Sequence, residues 1–506
     1  MLPHSDWAAK WALYQPDKTA FQSHESQRSL TYQELHDQSV ALACWLRDEW
    51  GLQKGDRLAV LAELDLEYVL LFAAAQKGGF ILVPLNYRLA SGELDYLLSD
   101  SEPAAICFEE KYRDLIGAAP NFTQHEHTME LGELVVESQR QAVEAWGKWE
   151  NVPVGDGDAI FILYTSGTTG RPKGAIYTHG MLFWNSINTE LSLALTPESR
   201  TINCMPPFHT GGWNVLLNPI FHHGGFNYLM KRFDAAAVLE LLDSQRPTIF
   251  MAVPTMLKMI ADQPGFADAD LSSLDYLIVG GEPMPIPLIE TWHAKGIAVR
   301  QGYGMTEVGP NLTSLHQKDA IRKKGSIGFP NFYIDTRIVN EQGEDVPANE
   351  PGELWLRSPV VTPGYWRNPA ATAKAKVGEW FRTGDQVRRD EEGYLFIVDR
   401  IKNMFISGGE NVYPAEIERV LVSHPAIDEA AVIGIPHPKW GEVGCAFVVC
   451  GSTPLDEAAV KAHCEAHLAR FKVPKQVVFL DTLPKGDTGK IDRKKLKEQS
   501  ALKTGF

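Results

Sequence analysis

A loop rich in glycine and hydroxyl side chains carries the clearest chemical signal in the sequence. It runs from Tyr164 to Gly174 and reads YTSGTTGRPKG. Its glycines, Gly167 first among them, let backbone N–H groups turn toward an anion without a Cβ clash. Lys173 adds a point charge suited to the β- and γ-phosphates of a nucleotide. Four hydroxyl side chains add further donors: Thr165, Ser166, Thr168 and Thr169.

The context of this loop favours phosphate binding over a plain surface loop. A strand of buried type leads into it and Pro-Lys-Gly leads out of it. It is not a Walker A loop, because the GxxxxGK[ST] pattern needs the lysine directly after the last glycine. Here Gly167 to Gly174 reads GTTGRPKG, with the lysine before the last glycine. The segment therefore predicts a phosphate cradle of another kind.

Seven further motifs follow the loop in chain order. They are PPFHTGG (206–212), GGEPMP (280–285), QGYGMTE (301–307), GELWLRSPVVTPGYW (352–366), WFRTGD (380–385), GYLFIVDRIKNMFISGGENVYPAEIE (393–418) and LPKGDTGKIDR (483–493). Together with the loop, they make the chain resemble the adenylate-forming superfamily over most of its length. That superfamily holds acyl- and aryl-CoA synthetases, luciferases and peptide-synthetase adenylation domains.

The resemblance implies a two-step reaction. A carboxylic acid attacks the α-phosphate of ATP to give an acyl-adenylate, and the acyl group then passes to a thiol, here expected to be that of coenzyme A. The first step brings anions together, so the site must neutralise charge and hold the groups in line. Mg²⁺ is the metal expected on the phosphates, with few protein ligands.

The motifs then assign roles at the nucleotide by resemblance. Glu307 matches the magnesium-associated glutamate, Thr306 the α-phosphate contact and Tyr303 the aromatic that lies against adenine. Asp385 fits a carboxylate accepting from both ribose hydroxyls, and Arg400 matches a second ribose contact. Three consecutive residues match the main-chain strip along the adenine edge: Gly281, Glu282 and Pro283.

Lys490 matches the catalytic lysine, which bridges the substrate carboxylate and the α-phosphate. The run KIDRKKLK that contains it would otherwise be read as a solvated basic face. Lys402 matches the hinge between a large body and a mobile cap. The resemblance implies that the cap rotates after the first step and admits the thiol.

The same resemblance places the acceptor and the acid. Gly408 and Gly409 would let a pantetheine arm pass close to the backbone, and Trp440 could pack against that arm. An interface or core position is an equal alternative for Trp440. His209 matches a histidine near the acyl carboxylate and the thiol path, although a lone histidine is more often a structural residue.

The acyl pocket is expected between the motifs at 206–214, 280–285 and 302–306. Gly280 and Gly302 leave room there, and Met305 supplies an apolar wall. Trp213 resembles the gate tryptophan of some fatty-acyl-CoA synthetases. No basic residue stands out in these segments, so a fatty or other apolar acid is expected rather than one with a second carboxylate.

Other readings of the same motifs stay open. An aryl-CoA ligase of the benzoate or cinnamate type shares most of them. A stand-alone adenylation enzyme that loads a carrier protein, a luciferase-like oxygenase and a nucleotide-binding regulator are further alternatives. The intact Lys490, Glu307 and Asp385 argue against a regulator that has lost catalysis.

The elements that must position these residues alternate between strands and helices. A helix is predicted over 31–46, and strands are predicted over 57–61, 80–83, 158–164, 248–253, 276–279 and 298–301. This alternation indicates α/β units with mostly parallel sheets. After Pro330 the turn signals between β-rich runs indicate hairpins.

The chain length and charge distribution predict two domains. With 506 residues, the chain exceeds the size of a single core. We expect an AMP-binding body over 1–401 and a cap over 402–506. From Asn403 onward there are 13 basic and 13 acidic residues, so residues 1–402 carry the whole net charge of −16. The resemblance implies an α/β fold, with two α/β subdomains and a β-barrel in the body and a small mobile α+β cap.

The remaining composition excludes several classes. The acidic charge argues against nucleic acid as a partner. The six scattered cysteines favour free thiols in a reducing cytoplasm. The N-terminus lacks the features of a signal peptide, and no apolar run approaches the roughly 18 residues that span a bilayer. Homodimers are common in the superfamily, so a homodimer is also an expectation.

Overall fold

The computed structural model describes most of the chain. The described residues are 6–140, 149–165, 171–281, 284–401, 403–407, 410–451, 453–486 and 490–504. Within them the strands form five sheets. Three sheets build two α/β subdomains, a fourth forms the barrel-like part of the body, and the fifth belongs to the cap. The predicted fold class is therefore confirmed.

The first subdomain is a six-stranded sheet in the order β6-β5-β3-β4-β7-β8. Its neighbours are parallel except β8, which runs antiparallel to β7. The central strands β3, β4, β5 and β7 are mostly buried apolar runs, as expected for a sheet covered on both faces. Their bounds are β3 Arg57–Leu61, β4 Ile81–Pro84, β5 Ala105–Phe108, β6 Thr128–Glu130, β7 Ala159–Thr165 and β8 Lys173–Thr178.

The second subdomain contains two sheets. One has the order β2-β1-β10-β9 and the other β11-β12-β13-β14-β15. Gly302 and Tyr303, at the end of β13, pair antiparallel with Ser314 and Thr313 of β14. Their bounds are β1 Thr19–Ser23, β2 Ser29–Thr31, β9 Arg200–Asn203, β10 Phe226–Leu229, β11 Ile249–Ala252, β12 Tyr276–Val279, β13 Val299–Tyr303, β14 Thr313–Ser314 and β15 Phe329–Pro330.

The hairpins predicted after Pro330 are confirmed, and the cap has the predicted α+β character. The hairpin sheet has the order β16-β17-β19-β18, with β20 beside β19. The cap sheet has the order β22-β21-β24-β23, with β25 beside β24. Their bounds are β16 Asp335–Val339, β17 Pro351–Arg357, β18 Lys376–Val377, β19 Trp380–Arg389, β20 Leu395–Arg400, β21 Phe405–Ser407, β22 Glu410–Val412, β23 Ile427–His437, β24 Gly441–Cys450 and β25 Gln476–Phe479. The domain boundary at 401/402 stays a prediction.

Helices cover the sheets of the body, and in the cap α14 and α15 pack on one face of the sheet and α16 on the other. The predicted helix over 31–46 is present, and a capping box between Thr31 and Glu34 starts it. None of the described helices is both long and apolar enough to cross a membrane. Their bounds are α1 Trp7–Tyr14, α2 Tyr32–Asp48, α3 Leu66–Gly78, α4 Ser91–Ser101, α5 Arg113–Gly117, α6 Pro120–Thr123, α7 Leu131–Arg140, α8 His179–Leu193, α9 Leu217–His222, α10 Ala235–Ser244, α11 Pro254–Ala261, α12 Ile286–Ala294, α13 Pro369–Lys374, α14 Pro414–Val422, α15 Glu457–His467 and α16 Arg493–Thr504.

Candidate active site

Three of the residues predicted to bind the nucleotide form one hydrogen-bonded group. Asp385 on β19 faces Arg400 on β20 in the antiparallel register. Arg400 Nε lies 2.9 Å from Asp385 Oδ1, and the Tyr303 hydroxyl donates to Asp385 Oδ2 at 2.5 Å. The Asp385 side chain is only 3% exposed, whereas that of Arg400 is 43% exposed. The group thus presents a fixed carboxylate whose oxygens have lone pairs for further donors such as ribose hydroxyls.

Burial and charge keep Tyr303 a donor. Burial, and then the negative charge of Asp385, raise the pKa of Tyr303 well above its usual value. The phenol therefore stays protonated, because the charged form would be both desolvated and repelled. A neutral tyrosine hydroxyl that donates to Asp385 fixes both side chains.

Glu307 lies in the segment that follows Tyr303 at the end of β13. It belongs to a 3₁₀ turn, Thr306–Val308, that starts with the predicted Thr306. The Tyr365 hydroxyl donates to Glu307 Oε1 at 2.9 Å. The Lys173 ammonium lies 5.5 Å from the centroid of the Tyr365 ring. Tyr365 thus contacts both Glu307, which would bind a metal, and Lys173, which would bind phosphate.

This donor set fits Mg²⁺ bound mostly by phosphate and water. Mg²⁺ commonly takes one or two protein carboxylates and completes its shell with substrate oxygens and waters. Among the described residues there is no group of three or more side chains that could hold a metal by themselves. Glu307 is buried, and its carboxylate accepts from one phenol. Such a site depends on the nucleotide for the rest of its ligands.

His209 is the residue predicted to lie near the acyl carboxylate, which would make its surroundings the acid end of the site. Burial, then the positive charges of Lys490 and Arg88, lower the pKa of His209 to about 4. Its Nε2 is buried and has no hydrogen-bond partner among the described residues. Buried polar atoms normally have a partner, so an unpartnered one in a native structure calls for an explanation. A substrate oxygen is a suitable partner for that nitrogen.

Lys490 reaches this end from the cap. The Gly486 N–H donates to the Lys490 carbonyl at 2.8 Å, and the backbone of Lys485 pairs antiparallel with that of Ile491. The positive charge of Lys490 contributes to the lowered pKa of His209, so the two side chains lie close enough to interact electrostatically. The structure thus brings Lys490 and His209, far apart in sequence, to one place.

The lowered pKa of His209 predicts a change in the acid stability of the fold. The unfolded histidine, with an ordinary pKa of 6.5, binds a proton that the folded one at about 4 does not. Its contribution is therefore present above pH 6.5 and is lost as the pH falls through the window toward 4. At pH 5 the loss should be about 2 kcal/mol.

Urea unfolding of the parent and of His209→Gln at pH 7 and pH 5 measures this. We expect the drop in unfolding free energy between the two pH values to be smaller in the variant by about 2 kcal/mol. His222, whose pKa burial lowers to about 3, keeps both proteins acid-sensitive, so only the difference between them reports on His209. Equal drops would contradict the burial of a neutral His209.

The predicted acyl-pocket residues do not share one environment. Trp213 is fully buried and its Nε1 donates to the Pro207 carbonyl at 2.8 Å. Its ring centroid lies 5.2–5.5 Å from those of Tyr68, Phe72 and Phe161. Trp213 therefore sits in the aromatic core of the first subdomain, on a single π-turn over Gly211–Val215. Its role as a gate stays a prediction.

Gly280 and Gly302, which are also predicted to line the acyl pocket, lie next to backbone carbonyl groups. A Cβ at Gly302 would lie 3.2 Å from the Thr313 carbonyl oxygen, and a Cβ at Gly280 would lie 3.6 Å from the Gly302 carbonyl oxygen. Met305 packs beside Tyr303 against Val308. A neighbouring carbonyl oxygen therefore lies close to each of the two glycines and limits the space beside them.

Burial of Trp213 predicts a large effect of its removal on stability. Trp213→Ala should lower the free energy of unfolding by about 3–5 kcal/mol, because a cavity would open among tightly packed rings. Urea denaturation at pH 7 measures it. A mobile gate residue would cost far less, so a loss below about 1 kcal/mol would contradict the core position.

For several predicted site residues the structure describes only some of the predicted neighbours. Thr165 ends β7, and its hydroxyl lies 3.4 Å from the Lys173 carbonyl. Gly281 adopts φ +88°, which glycine tolerates best. Trp440 is 41% exposed at the turn between β23 and β24, with Lys439 Nζ 4.7 Å from its ring centroid. The following predicted residues lie outside the described part of the chain: Ser166, Gly167, Thr168, Thr169, Glu282, Pro283, Lys402, Gly408 and Gly409.

The sequence motifs assigned no role to two residues of this region, Tyr365 and Asp399. Tyr365 contacts Glu307 and Lys173 as described above, and its place inside the quoted TPGYW motif was the available signal. Asp399 lies next to Arg400, and its Oδ2 accepts from the Ala415 N–H of the cap at 2.8 Å. Its signal was its position directly before the predicted hinge.

Comparisons with known proteins identify the family. The family model of the AMP-binding enzyme matches residues 8–366, and that of the AMP-binding enzyme C-terminal domain matches residues 416–490. A feruloyl-CoA synthase of an Amycolatopsis species is 38% identical over 486 residues, 96% of each chain. The long-chain-fatty-acid–CoA ligase FadD13 of Mycobacterium tuberculosis is 37% identical over 452 residues, 89% of each chain.

A solved structure agrees over nearly the whole chain. The crystal structure of ATP-bound MatB from Rhodopseudomonas palustris has a TM-score of 0.90 and 33% identity, and the match covers 98% of each chain. The predicted reaction class and its use of ATP, Mg²⁺ and coenzyme A are therefore confirmed. The chain belongs to the AMP-binding enzyme family, as an AMP-forming acid–CoA ligase.

Proposed function

We propose that the enzyme activates a carboxylic acid with an apolar, uncharged body, with a fatty acid as the first candidate. The observation that carries this choice is the wall next to His209. A Cβ at Gly211 would lie 3.8 Å from Met205 Cε and 4.0 Å from Met251 Cε. Because glycine leaves that space open, two flexible methionine side chains face it, and such side chains adapt to apolar ligands.

Arg300, a cation on β13, does not favour a second carboxylate. Arg300 lies two residues before Gly302, so its side chain points to the face of β13 on which a Cβ at Gly302 would lie. Its guanidinium already donates to neutral acceptors, including the carbonyls of Leu315 and Ser192 at 2.9 and 2.8 Å. Because its N–H donors are used in this way, Arg300 has few left to bind the second carboxylate of a diacid.

An aryl acid is the second candidate. The feruloyl-CoA synthase relative, 38% identical over almost the whole chain, favours it. The pocket wall described above would accept a planar apolar ring as well as an alkyl chain. A panel of acids separates the two candidates.

The proposed first step uses the residues around the nucleotide. Asp385 and Arg400 hold the ribose, Tyr303 lies against adenine, and Lys173 holds the polyphosphate. Glu307 and Thr306 face the phosphates, and Glu307 would hold Mg²⁺, which supplies charge neutralisation there. A carboxylate oxygen of the acid bonds to the α-phosphorus, and pyrophosphate leaves.

Lys490 is the proposed stabiliser of this step, with its ammonium expected where the acid and the α-phosphate meet. Charge that is already in place at the developing anion lowers the barrier without reorganisation. Beside it, His209 stays neutral at physiological pH, since its pKa is about 4. A neutral imidazole can hydrogen-bond to the acyl oxygen without competing with Lys490 for the anion.

In the second step the CoA sulfur attacks the acyl carbon and AMP leaves with the bridging oxygen. Gly408, Gly409 and Trp440 are the proposed contacts of the pantetheine arm, and Lys402 is the proposed hinge. The bond from the Ala415 N–H to Asp399 ties the cap to the body in the present orientation. It would have to break when the cap rotates.

The test is pyrophosphate release from MgATP with a panel of acids, each with and without CoA. The panel holds short, medium and long fatty acids, benzoates, cinnamates and a dicarboxylic acid. We expect sustained release with monocarboxylic apolar acids and CoA, and thioester formed in equal amount. Turnover that is indifferent to CoA would favour a carrier-loading enzyme, and a preference for the diacid would overturn the substrate proposal.

We also propose a cytoplasmic homodimer. Free cysteines support the cytoplasm: five of the six in the sequence are buried thiols in the structure and none is in a disulfide, as a reducing compartment favours. The homodimer rests on the resemblance alone. Light scattering on the purified protein would measure twice the chain mass of 56.3 kDa for a dimer.

A further inference from the structure

A short segment of the body joins the phosphate-loop strand to the Glu307 turn. This TPGYW segment is residues 362–366. At one end the Thr362 N–H donates to the Glu307 carbonyl at 2.7 Å, and the Thr362 hydroxyl donates to the Ile176 carbonyl at 2.6 Å. At the other end the Trp366 N–H donates to the Gly174 carbonyl at 2.7 Å. The segment is therefore held to both elements by its backbone.

Tyr365 is the residue of this segment whose side chain touches both charged groups. Its hydroxyl donates to Glu307 Oε1 at 2.9 Å, and the face of its ring lies 5.5 Å from Lys173 Nζ. Its backbone pairs with Ala175 on β8, two residues after Lys173. The backbone and the side chain of Tyr365 thus fix the position of β8 relative to the turn that contains Glu307.

These contacts act on the two partners in different ways. A hydrogen bond to a carboxylate that binds a metal fixes the orientation of that carboxylate. The negative face of an aromatic ring attracts an ammonium and restricts where it sits. Glu307 and Lys173 are both described in the structure and form no ion pair with each other. An acid and a base in direct contact would each be less available to the ion and the phosphates.

We propose that Tyr365 is a positioning residue of the adenylation step: its hydroxyl orients Glu307 toward Mg²⁺ and its ring places Lys173 for the polyphosphate. The inference rests on the proposed roles of Glu307 and Lys173. The hydroxyl and the ring have separate tasks, so two substitutions separate them. Tyr365→Phe removes the hydroxyl and keeps the ring, and Tyr365→Leu removes both.

Tyr177→Phe is the matched control. Tyr177 is fully buried on the same strand β8, and its hydroxyl has no hydrogen-bond partner among the described residues. Loss of an unpartnered buried hydroxyl should leave the enzyme unchanged or slightly more stable. Any effect of Tyr365→Phe that this control lacks belongs to the bond with Glu307.

Two measurements test the proposal. Calorimetry gives the affinity for ATP with and without Mg²⁺, and pyrophosphate release gives the Mg²⁺ concentration for half-maximal rate. We expect Tyr365→Phe to raise that Mg²⁺ concentration about tenfold and to leave the affinity for metal-free ATP unchanged. Tyr365→Leu should also weaken metal-free ATP about threefold. Thioester formation from a synthetic acyl-adenylate should stay at the parent rate in both.

The result that overturns the proposal is an unchanged Mg²⁺ dependence in Tyr365→Phe, or an equal loss in both half-reactions together with a lower melting temperature. Glu307→Gln separates this failure from a failure of the proposed function. If Glu307→Gln changes the Mg²⁺ dependence and Tyr365→Phe does not, only the role of Tyr365 is wrong. If neither changes it, the metal role of Glu307 is wrong as well.

Discussion

Lys490→Ala should slow acyl-adenylate formation by about 10²- to 10³-fold. The reason is the loss of the positive charge that we propose lies where the acid meets the α-phosphate. Acid-dependent pyrophosphate release in single-turnover experiments measures this step. Thioester formation from a chemically prepared acyl-adenylate should change by less than about twofold, because that step does not develop charge beside Lys490.

Lys485→Ala is the control for this prediction. The backbone of Lys485 pairs with that of Ile491, the residue after Lys490, and its side chain pairs with Glu429 of the cap at 2.8 Å. It carries the same charge without reaching His209, so its loss should leave both half-reactions near the parent rate. Equal effects of the two substitutions, or an equal loss of both half-reactions in Lys490→Ala, would contradict the catalytic role of Lys490.

Asp385→Ala should raise the KM for ATP by about 10- to 100-fold. The substitution removes the carboxylate proposed to bind both ribose hydroxyls, and it also removes the partner of Arg400 and of the Tyr303 hydroxyl. The Tyr303 hydroxyl would be left buried without its acceptor, so the free energy of unfolding should fall by about 1–3 kcal/mol. Calorimetric ATP binding and urea unfolding measure the two effects.

Asp390→Ala is the matched control, because Asp390 belongs to the same hairpin. Its carboxylate pairs with Lys323 at 2.7 Å, at the turn between β19 and β20. That pair lies away from the proposed ribose contacts, so the KM for ATP should not change. A change in stability without a change in ATP affinity in Asp385→Ala would contradict the ribose role.

Local sequence patterns predict the central strands well. The strands over 57–61 and 276–279 have the predicted bounds, because buried apolar runs between turn signals leave few alternatives. β13 extends to Tyr303, two residues beyond the prediction. Its last two residues pair with β14, a long-range contact that the local apolar pattern does not contain.

The contacts within the site depend on tertiary register. Asp385 faces Arg400 because β19 and β20 pair with a register shift between Gln386 and Val387, and a bulge of this kind has no reliable sequence signal. The motifs predicted which residues belong to the site. They could not show that Tyr303 would share the carboxylate of Asp385.

Trp213 and Tyr365 show where motif reading ends. Trp213 lies in a motif near the acid, but the π-turn that carries it directs its ring into the core. Tyr365 lies in a quoted motif without a role, and its function depends on a contact across 58 residues of sequence. Side-chain direction on an irregular turn, and contacts between distant segments, follow from packing rather than from spacing.

The most direct test of the proposed chemistry is to follow the oxygen of the acid. With an acid labelled by ¹⁸O in both carboxylate oxygens, MgATP and CoA, we expect one ¹⁸O atom in the AMP released per thioester formed. The carboxylate oxygen bonds to the α-phosphorus and stays there when the thiol attacks the acyl carbon. Label in inorganic phosphate, or unlabelled AMP beside labelled thioester, would contradict an acyl-adenylate.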